Sequence, residues 1–429
     1  MSKYLKVLGG QPLSGELVVS GAKNSALGLI PAALLMNKGS ITFKNMPDIK
    51  DVYTFKKILD ELNVISEWNP QKNFLKIISH EINSPTINFN LAREFRGSIG
   101  MLIPLLHWVK KAIIPFPGGD KIGKRPLDEL MRGLIMMGAK VTYRDNIFEI
   151  TREQNLKGID ITLVYPSHIT TMYLMTLGII ASGTTIIRNA ALEPEIKDLE
   201  DFLRKMGVKI SGAGTSTIKI ENSINFLCPC EFEIMPDRLQ IATYITAALM
   251  TKGSIWMDKL YIKNLSKFIE LIKFSGADVI ENTKNIKIES KNTYHSFNFV
   301  TEAYPGVPTD LQAILASFLS ICNGKGYVKE NIYEDRLKHL KEFSKIGIKV
   351  RTISNKEYQI IGNNLLNSGV TVNATDIRAG ASLLLCGLSM KKGDYLIIKD
   401  YFHIERGYSN FIHNLTNLGA NIEVINGGE

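Results

Sequence analysis

Cysteine is scarce in this chain: four residues, Cys228, Cys230, Cys322 and Cys386, in a length of 429. Cys228-Pro-Cys230 is not a metal-ligand spacing and no second pair accompanies it, so reduced thiols are expected rather than a zinc site or a disulfide framework. Histidine is scarce too, with seven scattered residues and no HExxH pair, so the pattern offers no metal centre. Long apolar runs are missing. The longest, residues 26–36 and 379–388, are too short to cross a bilayer and read as buried helices. The opening MSKYLKVLGGQ has no apolar h-region, so no secretory signal and no membrane attachment is expected, and the cytoplasm is the default compartment. Basic blocks are lacking as well. The net charge is +9, yet lysine and arginine are spread along the chain with no zinc or RNA-binding motif. That argues against nucleic acid and leaves small anionic substrates as partners for the charge.

What the chain has is length and self-similarity. A chain of this size exceeds one ordinary core, and 45% hydrophobic with 22% charged residues is the balance of a soluble globular protein. A helical stretch ending in a small residue and followed by an alternating strand recurs as LIMMGAKV at Gly138, LRKMGVKI at Gly207, IKFSGADVI at Gly276, FSKIGIKV at Gly347 and LTNLGANIEV at Gly419. A weaker copy, LDELNVIS, has Asn63 in place of glycine, and the six markers are spaced by 69–75 residues. Glycine or asparagine there fits a left-handed helix C-cap. A second marker keeps the same period: a tight turn entering a β-branched strand at Gly39, Ala112, Gly183, Gly253, Gly326 and Gly393. A sixfold repeat of about 70 residues follows, each unit with room for two helices and three or four strands. The fold class is α/β, with three repeats per domain. The stretch Leu5 to Ser20 is expected to complete the last domain, giving lobes of 23–235 and of 1–22 with 236–429.

Two segments carry candidate chemistry. In SGAKNSALGLIPAALL, Gly21 permits a tight turn, Asn24 or Ser25 can cap the helix, and Lys23 then stands where backbone N–H groups favour an anion. A capped helix with a solvated lysine is the plainer reading. In PFPGGDKIGKRPLDEL, glycines and prolines frame a bounded but mobile loop bearing Asp120, Lys121, Lys124 and Arg125. Such a lid can sequester a phosphorylated substrate and exclude water; an exposed charged loop is the alternative.

SGAKNSAL, PGGDKIGKRPLDEL, LEPEIKDLEDFLRKMGVKISGAGT, PDRLQIAT, YPGVPTDLQA, IYEDRLKHL, ATDIRAGASLLL and HIERGY occur in this order along the chain. Together they resemble the UDP-N-acetylglucosamine 1-carboxyvinyltransferase family of enolpyruvyl transferases, which serves peptidoglycan (cell wall) biosynthesis, over essentially the whole length. The resemblance implies two inside-out α/β barrel domains of three repeats each, an active site between the lobes, and a lid at 115–126 on the first lobe. It implies transfer of the enolpyruvyl group of phosphoenolpyruvate to the 3-hydroxyl of a uridine nucleotide sugar, with no metal and no cofactor. By similarity Lys23, Asn24, Arg125, Arg336 and Arg406 hold phosphoenolpyruvate, whose carboxylate and phosphate suit arginine forks. Asn24, Arg96, Arg125, Pro126, Leu127, Asp128, Glu129, Tyr165, His168, Asp310, Ile332 and Tyr333 fall at acceptor positions. Asp237, Asp376 and Arg378 match residues of the same cleft. Asp310 matches the base that takes the hydroxyl proton; from spacing alone it reads equally as a turn residue after Pro308-Thr309. The family offers a monomer or weak homodimer as the assembly.

The chain departs from the family in places. Asp120 stands at the lid position usually held by cysteine, so a carboxylic acid would have to donate the proton to C3. Tyr165 stands where lysine is usual, His168 replaces a small apolar residue, Leu130 stands at a histidine position, and Gln240 and Ala242 replace Glu and Gly. Tyr333 stands where phenylalanine is usual. These changes gather on the acceptor side. A second reading is therefore a transferase acting on another nucleotide or nucleoside in secondary metabolism, and a third is a non-catalytic anion-binding relative.

Overall fold

In the computed structural model the described residues are 3–78 and 81–426. They form two compact units: Ser20–Asp120 with Arg125–Pro236, and residues up to Val19 with Lys121–Lys124 and everything from Asp237 onward. The two are called here the first and the second unit. Each has its own hydrophobic core.

Both units are built from the same parts. Three helices are apolar on nearly every face, which only an interior can accommodate. In the second unit these are Arg238–Met250, Gln312–Leu319 and Ile377–Leu388, buried at every position and packed on one another. In the first unit Lys23–Ala33, Leu102–Val109 and His168–Ile180 meet in the same way. A second set is amphipathic. Pro194–Lys205 begins with a proline pre-set for the first turn and buries Ile196, Leu199, Phe202 and Leu203 along one stripe, leaving its lysines outside. The residue after each amphipathic helix turns left-handed: Asn63 at φ 57°, then Gly138, Gly207, Gly276, Gly347 and Gly419 at 90–107°. The first repeat marker is thus a row of left-handed helix stops, at the C-cap for Gly276 and one residue past it in the other five, and asparagine serves in the weak copy because it tolerates this region. The second marker needs adjustment. Before the strands at Ala112 and Gly253 the left-handed residues are Lys110 and Lys252, and before Gly326 it is Gly324.

Each repeat contributes one sheet, three per unit. The first unit has Cys230–Glu233, Ser40–Lys44, Phe74–Ile78, Ser66–Asn69 in that order; Ile210–Ser211, Thr217–Glu221, Thr184–Arg188, Asp160–Thr162; and the three-stranded Lys111–Pro115, Ile147–Thr151, Lys140–Arg144. The second unit has Asp278–Glu281, Asn285–Glu289, Ser254–Asp258, Ser14–Glu16; Phe299–Val300, Lys325–Lys329, Glu357–Ile361, Lys349–Thr352; and Val370–Asn373, Tyr395–Lys399, Lys3–Leu8, Asn421–Asn426. Strands alternate between buried and accessible side chains, so one face of each sheet covers the core and the other is outermost. Helices inside and sheets outside make each unit an inside-out α/β barrel. The N-terminal stretch is two strands in two sheets, not one: Lys3–Leu8 pairs with Tyr395–Lys399 and Asn421–Asn426, and Ser14–Glu16 pairs with Ser254–Asp258. Gly10, at φ 87°, turns the chain between them. No described helix is long and apolar enough to cross a membrane.

Candidate active site

Six of the polar residues singled out from the sequence stand at or just before the N-termini of the inner helices: Lys23, Arg96 and His168 in the first unit, Asp237, Asp310 and Asp376 in the second. In the first unit Lys23 is the first residue of its helix, with Ala22 as N-cap and no side chain capping it. Neither Asn24 nor Ser25 caps: the helix begins ahead of them, so both lie inside its first turn. Ser25 donates instead to the buried Asp198 on Pro194–Lys205, whose Oδ2 also accepts the Met235 amide at 3.4 Å. Burial pushes the Asp198 carboxyl up to about 7, with the Ser25 and Met235 bonds opposing the shift. The Lys23 ammonium lies 2.7 Å from Asp51, in the first turn of Lys50–Glu61. Gly21 is required: a side chain there would run into the Asn45 carbonyl. Asn24 is half-buried beside Lys23.

Arg96 opens the 3₁₀ turn Arg96–Met101 that runs into the second inner helix. Its guanidinium donates to the carbonyls of Pro117, at 3.3 Å, and Arg125, and covers the Phe116 ring at 5.0 Å. One buried arginine thereby clasps both roots of the glycine-rich loop. Gly118 packs on the Arg93 carbonyl with no room for a side chain. Asp120 and Arg125 are half-buried. The loop tip belongs to the second unit: Lys338 donates to the Lys121 carbonyl at 2.7 Å, Asp335 N–H to Ile122 at 3.1 Å, and the Lys124 amide to Glu334 at 2.9 Å.

Beyond the loop, Pro126 and Asp128 are exposed and Leu127 is buried. Glu129 is engaged twice, by Arg132 at 2.8 and 3.0 Å and by the Val164 amide at 2.9 Å. The Arg132 bond, with the Val164 amide in support, holds its carboxyl below the usual range. Glu129 thus ties its helix to the strip where Val164 and Tyr165 are exposed. His168 starts the third inner helix after the N-cap Ser167, and its Nε2 is buried without a hydrogen-bond partner among the described residues.

In the second unit each equivalent end carries an aspartate. Asp237 caps Arg238–Met250 by accepting from Leu239 and Gln240 N–H, and Asp376 caps Ile377–Leu388 by accepting from Arg378 and Ala379 N–H. Asp310 lies in the 3₁₀ turn Thr309–Leu311 before Gln312–Leu319, whose N-cap is Leu311. Arg336 Nη2 donates to Asp310 Oδ1, and Arg378 Nε is 3.7 Å from the same oxygen. Both arginines are about 95% buried. Burial would discharge them, but the carboxylates of Asp310 and Asp376 raise Arg336, and Tyr408, Asp310 and Asp237 raise Arg378. Arg378 stacks on Tyr408 at 4.9 Å, and its Nη1 has no hydrogen-bond partner among the described residues, an open donor suited to an anionic oxygen. Arg406 is buried at the end of Phe402–Glu405, which packs on Ile377–Leu388. Ile332 and Tyr333 follow the buried Glu330, which accepts both their amides.

Sequence reasoning missed Asp51, Asp198 and Glu330. No local signal marks them, since each acquires its partner through packing of distant segments. Among the described residues no group of three or more His, Cys, Asp or Glu is placed to hold a metal ion.

Two inside-out α/β barrels, each of three sheets around its own core, define the class of protein by fold. The crystal structure of the enolpyruvyl transferase NikO from Streptomyces tendae superposes with a TM-score of 0.88 at 21% identity, covering 99% of both chains. EPSP synthase from Acinetobacter baumannii gives 0.75 at 16% identity over 99% of this chain and 100% of that one. The family model for EPSP synthase (3-phosphoshikimate 1-carboxyvinyltransferase) matches residues 7–415. Curated relatives named UDP-N-acetylglucosamine 1-carboxyvinyltransferase are 35% identical in Clostridium botulinum, covering 98% of this chain and 99% of the relative, and 37% identical in Desulfatibacillum aliphaticivorans, covering 96% and 97%. The chain belongs to the enolpyruvyl transferase family, on the side of the UDP-N-acetylglucosamine 1-carboxyvinyltransferases.

Proposed function

We propose that the chain transfers the enolpyruvyl group of phosphoenolpyruvate to the 3-hydroxyl of UDP-N-acetylglucosamine and releases phosphate, by addition and elimination through a tetrahedral ketal. The observation that carries this reading is the Asp310 cluster: one carboxylate beside two buried guanidinium groups, one of which has an open donor. The near full-length likeness to relatives of that name supports the choice of acceptor.

In this reading Asp310 accepts the acceptor's hydroxyl proton as its oxygen attacks C2 of phosphoenolpyruvate, while Asp120 donates a proton to C3. The ketal collapses when C3 gives up a proton and the C2–phosphate bond breaks. Lys23, Asn24, Arg125, Arg336 and Arg406 hold the phosphate and carboxylate and stabilise the charge that builds on the leaving phosphate. Arg96, Pro126, Leu127, Asp128, Glu129, Tyr165, His168, Ile332 and Tyr333 form the acceptor side, with Asp237, Asp376 and Arg378 in support. The residues of both lobes, 23–235 and 1–22 with 236–429, serve one reaction. The same reading has the protein working in the cytoplasm as a monomer or weak homodimer in peptidoglycan precursor synthesis, without metal or organic cofactor.

The test is phosphate release from phosphoenolpyruvate with UDP-N-acetylglucosamine, UMP or other nucleotides as acceptor. Release with the nucleotide sugar, lost in Asp310→Asn, is expected. Release only with UMP or another nucleotide would replace the acceptor, and an unchanged Asp310→Asn rate would remove the base.

A further inference from the structure

The second unit contains a carboxylate that neither binds substrate nor reacts in the proposed chemistry, yet is more enclosed than any residue that does. Glu330 is 0% exposed. It follows the strand Lys325–Lys329; its charge acts on Arg336, but among the described residues no cation forms an ion pair with it. Four donors converge on it instead. Oε1 accepts from Thr301 Oγ1 at 2.8 Å, Ile332 N–H at 2.8 Å and Tyr333 N–H at 3.0 Å. Oε2 accepts from Thr309 Oγ1 at 2.9 Å. Thr309 Oγ1 in turn accepts from Arg336 Nη1 at 3.1 Å, and Arg336 donates to Asp310. Thr301 Oγ1 accepts the Asn331 amide at 2.9 Å, so the loop leaving the strand is pinned at three successive amides.

An ionised carboxylate away from water is expensive unless donors replace its hydration. A structural latch between two loops is available more cheaply from a neutral side chain. A carboxylate is acceptor-only at both oxygens, and here it registers the two loops through their backbone and hydroxyl donors, beside the bonds that Arg336 makes to Thr309 and Asp310. One loop carries Thr309 and the base Asp310. The other carries Ile332, Tyr333 and Arg336.

We infer that Glu330 is a positioning residue: its buried carboxylate fixes the Asp310 base against the acceptor-contacting strip Ile332 and Tyr333, through the Thr309 hydroxyl on one side and two backbone amides on the other. The inference rests on the proposed transferase reaction. Glu330→Gln keeps an oxygen for the amides but turns an NH₂ toward the Thr309 hydroxyl, whose proton then loses its acceptor. Thr309→Val deletes that hydroxyl from the opposite side, and Thr309→Ser restores it.

The experiment measures kcat and both KM values by phosphate release from phosphoenolpyruvate and UDP-N-acetylglucosamine, with thermal melting of each variant. Glu330→Gln and Thr309→Val are each expected to lower kcat about tenfold and to raise the acceptor KM more than that of phosphoenolpyruvate. The double variant is expected to be no slower than either single one, and Thr309→Ser to stay within about twofold of the parent. Full activity of Thr309→Val, equal shifts in both KM values, or multiplying losses in the double variant would each overturn the inference. Should Glu330→Gln fail to fold, the Val and Ser variants at 309 still decide. A parent chain that releases no phosphate sinks the proposed function and the inference with it; an active parent with unaffected variants sinks the inference alone.

Discussion

Lys23 is useful to an anion only if its ammonium is held in place, and Asp51 is the group that holds it. Both side chains are at least nine-tenths buried and 2.7 Å apart. An ion pair so enclosed is costly to break from one side, because the remaining charge keeps its desolvation penalty. Asp51→Asn removes the nearest counter-charge without changing shape. It should cost about 3–5 kcal/mol of stability and lower phosphate release, read from urea unfolding and steady-state turnover. Unchanged turnover would mean that Asp51 does not position Lys23 for the reaction. The sequence displayed Lys23 itself, since SGAK before an apolar run marks a helix start. It did not display Asp51, whose place in IKDV looks like any acidic first-turn residue.

Among the elements, the short helix His339–Lys345 depends on an uncharged histidine. His339 is fully buried, its Nδ1 faces the Arg336 carbonyl at 3.2 Å, and it packs edge-on against Phe343. Burial, with the Arg336 charge in support, pushes it down from 6.5 to about 3. The unfolded chain therefore binds a proton in that window that the folded chain does not, and this residue lowers stability as pH falls from about 6.5 toward 3. Asp198 acts in the opposite sense. Its burial raises it from 3.8 to about 7, so the folded chain holds the extra proton and stability falls as pH rises through that range. Urea midpoints across these windows should show His339→Asn flattening the acid loss and Asp198→Asn flattening the other. Parallel curves for parent and variants would mean that neither group is titrating as its surroundings imply.

The whole molecule is one α/β unit used six times, sorted into two cores. Leu174 and Leu315 are fully buried on inner helices of different cores. Each Leu→Ala should cost about 2–5 kcal/mol through lost contacts and the cavity left behind. The losses should add, since the two share no neighbours. Hydrogen exchange should speed up within the altered core only; loss of protection in both cores from one substitution would show that the cores are not independent.

Much of this architecture was legible from local pattern. Period-3.6 and period-2 stripes, left-handed caps and apolar runs are set by neighbours a few residues apart, so the repeat, the helix classes and the positions of Lys23 and the glycine-rich loop could be read directly. The break at Gly10 that splits the first strand, and the helix start that leaves Ser25 uncapping and bound to Asp198, were not. Packing alone decided which partners each carboxylate meets: Asp51 with Lys23, Asp310 with Arg336 and Arg378, Glu330 with the donors of two loops at once. Those pairings join segments far apart in the chain, and a charge carries no local mark of the partner that desolvation will force upon it.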